Sequence, residues 1–103
     1  MQKLTHLVLF WLRNPDSAED RGLLVAGLKT LQAIGEVKSL KIGFPAVTEQ
    51  RDVVDGSWSV SELITFDSIE DEGVYQDHPI HQAFIAGCEH LWQRVVVYDI
   101  VDS

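Results

Sequence analysis

The chain has 103 residues, 46% of them hydrophobic, enough for one domain with one core and too short for two. Sixteen acidic residues against eight basic ones give a net charge of −8, which argues against nucleic acid and anionic membranes as partners, because little here could neutralise phosphates. Cys88 is the one cysteine and cannot close an internal disulfide. The first residues carry no leader pattern, and no apolar run approaches the ~20 residues of a membrane helix, so a single cytoplasmic domain over residues 1–103 is expected.

Residues 3–13 read as a strand with two apolar faces. Thr5, Leu7, Leu9 and Trp11 lie on one side, and His6, Val8, Phe10 and Leu12 on the other, so the strand is expected in the middle of a sheet. Asn14 to Ser17 turn the chain into a helix, with Asp16 and Glu19 at the spacing of a capping box. Leu24, Leu28 and Leu31 recur at helical spacing, and Gly35 is placed to end the helix in a left-handed cap. Residues 37–44 form a second strand closed by Pro45, followed by a polar loop over 46–56. Residues 58–66 form a third, with Trp58, Val60, Ile64 and Phe66 on one side and Leu63 opposite.

Ser68, with Asp71 three residues on, caps a short helix running to Asp77. His78-Pro79 breaks it, because a residue before proline avoids the helical region. A further helical stretch carries Ile80, Phe84, Cys88, Leu91 and Trp92 as its apolar stripe, and residues 95–101 are a β-branched last strand. The order β-α-β-β-α-β predicts an α+β, ferredoxin-like fold: an antiparallel sheet with its helices on one face. Whichever face of the first strand meets the helices, the other leaves an apolar set uncovered, which predicts a homodimer closed through the open sheet face into a dimeric α/β barrel.

The residues with chemical potential cluster. Tyr75, His78 and His81 fall within one short stretch at the predicted helix–helix junction, and His6 points there if its face meets the helices. Imidazoles and a phenol in an apolar pocket can run general acid/base chemistry near neutral pH, one imidazole taking a proton while the phenol polarises a carbonyl oxygen. Structural readings compete with this. His78 can serve the turn alone, Tyr75 can be a half-buried aromatic, and Asp99 and Asp102 can do no more than solubilise a strand end.

His6-Leu7-Val8-Leu9-Phe10, Ile34-Gly35-Glu36-Val37, the Tyr-x-x-His-Pro-x-His run from Tyr75 to His81, and Val97-Tyr98-Asp99 together resemble the stress-responsive α/β-barrel (Dabb) family over essentially the whole chain. The resemblance implies the dimeric ferredoxin-like fold. Through a distant likeness to the family's plant polyketide cyclase, olivetolic acid cyclase, it also implies catalytic roles for Tyr75 and His81, with His6 and His78 beside them. It implies no organic cofactor, and a magnesium ion held by the backbone carbonyls of Leu31, Ile34 and Val37. The expected ligand is a small apolar, phenolic or polyketide-like molecule, handled by cofactor-free cyclase or lyase chemistry. A non-catalytic stress or structural dimer and a cofactor-independent oxygenase stay open as alternatives.

Overall fold

The computed structural model describes residues 2–103. Four strands and three α-helices follow in the order β1 (Leu4–Leu12), α1 (Ala18–Lys29), β2 (Ser39–Gly43), β3 (Val60–Phe66), α2 (Ile69–Asp77), α3 (Pro79–Cys88) and β4 (Trp92–Val101). The sheet runs β2-β3-β1-β4, antiparallel throughout, with β1 inside. This is the ferredoxin-like α+β arrangement that the element order predicts, with the second helical layer split in two at His78.

The period-two alternation of β1 decides what faces what. Leu4, His6, Val8, Phe10 and Leu12 are buried, while Thr5, Leu7, Leu9 and Trp11 are only half covered. β3 repeats the pattern with Val60, Glu62, Ile64 and Phe66 inward. The core therefore lies between this sheet face and the helices, with Leu24, Leu28, Tyr75 and Phe84 supplied from the helical side. On the other face Leu7, Leu9 and Trp11 adjoin Tyr98, Val96 and Arg94 of β4 across the register, and Tyr98 is 54% exposed.

Local details depart from the sequence reading at four places. Ser17, not Asp16, caps α1: its Oγ accepts from the Asp20 amide at 3.1 Å, because the turn at Asn14 carries the chain one residue further before it coils. Gly35 makes no left-handed cap. The helix instead tightens into a 3-10 turn over Thr30–Ala33 and ends at Ile34 in extended geometry, so no positive φ is needed. β2 and β3 are shorter than read, as pairing begins at Ser39 and ends the long connection only at Val60. Finally, Trp92 opens β4 rather than closing the preceding helix, since it pairs with Leu12 beside a register shift.

Helix α1 meets α3 closely at Gly27. A Cβ there would lie 2.5 Å from Cys88 Sγ and 3.1 Å from Phe84 Cδ1, both on short or ring side chains that cannot swing away. At Gly22, on the exposed side of the same helix, nothing lies within 4 Å. Gly27→Ala is expected to destabilise the fold by about 1–3 kcal/mol through overpacking. Gly22→Ala should stabilise it by about 0.5–1 kcal/mol through helix propensity. Urea unfolding of the two variants beside wild type checks the opposite signs.

Candidate functional site

Four elements deliver polar side chains to one apolar cavity. His6 arrives from the middle of β1, at the inward parity set by Val8 and Phe10. Tyr75 comes from the last turn of α2. His81 comes from the first turn of α3, whose start is fixed by His78 and Pro79: the His78 Nδ1 accepts from the Ile80 amide at 3.0 Å, and proline fills the first helical position, where no amide is required. The break turns the chain sharply enough for Tyr75 and His81, six residues apart, to bring their rings to 4.6 Å.

The cavity has a volume of about 160 Å³. His6, Tyr75 and His81 line it together with Glu62, and Phe10, Phe84, Trp92, Val95 and Val97 make its apolar wall. Val95 and Val97 are respectively 43% and 47% exposed, so it opens beside β4.

Two polar pairs are built into this lining. The His6 Nδ1 lies 2.5 Å from Asp99 Oδ1, across the β1–β4 register that sets the two residues opposite each other. A carboxylate there accepts a hydrogen bond from the Nδ1–H and leaves Nε2 as the free ring nitrogen. The second pair is Tyr75 and Glu62: the Tyr75 hydroxyl donates to Glu62 Oε1 at 2.9 Å, and Glu62 is only 2% exposed.

Burial governs the ionisation of these groups. It pushes the Glu62 carboxyl above its ordinary value of 4.5, against the opposing pull of the Tyr75 hydrogen bond and of His6. It pushes the Tyr75 phenol up as well, with the adjacent Glu62 charge adding to the effect. Burial also holds the His81 imidazole below 6.5, so that the ring is a neutral base at neutral pH.

Of the residues singled out in the sequence, His6, Tyr75 and His81 therefore converge on the cavity, and His78 does not line it. His78 caps α3 and positions its neighbours. Tyr75 points its proton at a carboxyl rather than at an open carbonyl site. Asp99 does more than solubilise an edge, since it holds His6. Glu62 went unread in the sequence, although its parity with Val60, Ile64 and Phe66 marks a charge on a buried face.

The turn after α1 was expected to offer magnesium the carbonyls of Leu31, Ile34 and Val37. The Leu31 carbonyl accepts from the Ile34 amide and the Ile34 carbonyl from the Val37 amide, both at 3.1 Å. Two of these oxygens are already engaged by amides, and none carries a charge for a hard cation. Neutral carbonyls alone are a poor donor set for a resident magnesium ion.

The family model for the stress responsive A/B barrel domain matches residues 4–102. The chain belongs to the Dabb family. Among solved structures, the hydroxynitrile lyase of Passiflora edulis is similar to it with a TM-score of 0.83 and 21% identity, over 99% of this chain and 94% of that one. A Dabb-family protein with a ferredoxin-like fold from Mesorhizobium loti gives 0.79 and 23%, over 100% and 99%. A dimeric ferredoxin-like protein of unknown function from Thermobifida fusca gives 0.78 and 20%, over 98% and 92%. At these identities the likeness is one of fold. No curated protein matches the chain, so the likeness to the plant cyclase has no support from that comparison. Among the described residues no helix of this Dabb domain is long and apolar enough to cross a membrane.

The buried carboxyl fixes a pH dependence. A group whose folded pKa is raised contributes its full stability below the unfolded value and loses it as pH rises toward the folded value. Glu62 therefore burdens the fold progressively above about pH 4.5. The melting temperature of Glu62→Gln minus that of wild type is expected to grow from pH 4.5 upward. A difference that stays flat with pH would mean that Glu62 is ionised in the folded protein as easily as in the unfolded one.

Proposed function

We propose that this Dabb domain works as a homodimer whose cavity takes a small, largely apolar molecule of phenolic or polyketide-like kind. Its chemistry is general acid/base catalysis of the lyase or cyclase type without an organic cofactor. The observation that carries this reading is the convergence of His6, Tyr75 and His81 on one small cavity, with Asp99 behind His6 and Glu62 behind Tyr75.

The roles follow from the pairs. His81, kept neutral by burial, removes a proton from a carbon or hydroxyl of the ligand. His6, held by Asp99 through Nδ1, offers Nε2 as a second donor or acceptor. Tyr75 serves a developing oxyanion only by releasing Glu62. The structural likeness to a hydroxynitrile lyase makes cleavage of an aromatic hydroxynitrile a direct assay, alongside retro-aldol cleavage of an aromatic β-hydroxy ketone.

With either substrate, His81→Ala is expected to lower kcat/KM about 100-fold or more, while leaving the melting temperature within a few degrees of wild type. His6→Ala should act in the same direction. The reading fails if small aromatic ligands leave the cavity resonances unmoved and both variants match wild type in every assay.

The homodimer rests on the open face, where Leu7, Leu9, Leu63 and Tyr98 stand with no helix over them. Several structural neighbours are described as dimeric. Leu9→Lys places a charge at the centre of that face. Sedimentation is expected to show a dimer for wild type and a monomer for the variant, with the helix-side core intact by circular dichroism.

A further inference from the structure

Glu62 is a carboxyl in an apolar room, and the one basic group that pulls on it, the His6 imidazole, is already held by Asp99. Neither of the ion pairs among the described residues involves it, and no lysine or arginine lines the cavity. The Tyr75 hydroxyl is the one hydrogen-bond donor that those residues place on it, on Oε1. The cavity that it faces is walled by the rings of Phe10, Phe84 and Trp92, with Trp92 5.0 Å from Phe10 and 5.8 Å from Phe84 between ring centres.

We propose that the ligand of this cavity brings its own cation, a basic nitrogen in the ammonium form, to the Glu62 carboxyl, with its apolar body against the Phe84 and Trp92 rings. The inference rests on the cavity being a ligand site, as the proposed function has it, and narrows the ligand to an apolar or phenolic body that carries a basic nitrogen, not a polyketide acid.

Four considerations favour an ammonium over the alternatives. A buried carboxyl has unused acceptor lone pairs, and an ammonium supplies both the missing donors and the missing charge. Aromatic faces attract a cation through their quadrupoles, more strongly where water is excluded. An anionic head would meet Glu62 directly and Asp99 through His6, with the neutral His81 giving no compensation, in a protein that carries a net charge of −8. A neutral hydroxyl would satisfy a lone pair and leave the charge of an ionised Glu62 unpaired.

Benzylamine, benzyl alcohol and benzoate form a matched series of probes for the full chain. Their titration into labelled protein at pH 7, followed by the amide resonances around Glu62 and His81, gives three dissociation constants. The amine is expected to bind at least tenfold more tightly than the alcohol, and benzoate more weakly than either. Glu62→Gln, which keeps an acceptor for Tyr75, should bring the amine down to the alcohol's level. Tyr75→Phe, which leaves the carboxyl in place, should preserve the amine's advantage.

An alcohol that binds as tightly as the amine in wild type overturns the inference and leaves the cavity reading standing, and that comparison needs no variant to fold. An amine preference that survives Glu62→Gln overturns it equally. If none of the three probes moves the cavity resonances, the ligand site itself is disproved and both readings fall together.

Discussion

The strict alternation of β1 is the constraint on which the rest depends. A strand's side chains point to opposite faces in turn, so a single choice of which parity meets the helices assigns every residue from Leu4 to Leu12 at once. That choice puts Val8, Phe10 and Leu12 into the core and carries His6 in with them. It also leaves Leu7, Leu9 and Trp11 on the far side, where Arg94 covers one face of the Trp11 ring at 4.4 Å. A slip of one residue would exchange the two sets, taking His6 from its partner Asp99 and from the cavity. The site and the uncovered sheet face are therefore two consequences of one register.

The second determinant is the junction at His78 and Pro79. Proline forbids continuation of α2 and simultaneously starts α3 without wasting an amide, while the His78 side chain takes up one of the free amides of the new helix. A single uninterrupted helix would spread Tyr75 and His81 along and around its axis. The break folds their rings against each other and over the sheet, where His6 lies 5.8 Å from the Tyr75 ring centre. His78 thus matters to the site by geometry, although its imidazole is spent on the backbone.

Much of this was legible in the sequence, for reasons that can be named. The alternation of β1, the Leu24, Leu28 and Leu31 spacing and the His78-Pro79 break are strong local signals, and they sufficed for the element order, the sheet and three members of the cavity. Less legible were features set by pairing between distant segments. The role of Asp99 comes from its register opposite His6, 93 positions away in sequence, and no local pattern in a strand of valines announces it. The first residue of β4 depends on Leu12 for a partner, so Trp92 could equally have closed a helix when read alone. The cap at Ser17 instead of Asp16 reflects competition between two adjacent residues that are both good caps, which the preceding turn decides.

Glu62 had a readable signal of another kind. An acidic residue flanked at i±2 by Val60 and Ile64 contradicts its own strand's pattern, and such local contradictions concentrate where a fold serves something besides stability. Burying a carboxyl beside one hydroxyl costs more than burying an apolar side chain of similar size, and a hydrogen bond of about 1 kcal/mol does not offset it. Packing alone would favour a leucine at this position. The neighbouring imidazoles offer little positive charge, since burial keeps His81 neutral and His6 is already held by Asp99. The fold thus bears a destabilising group at the wall of its cavity, and a ligand cation paired with it would offset part of that cost.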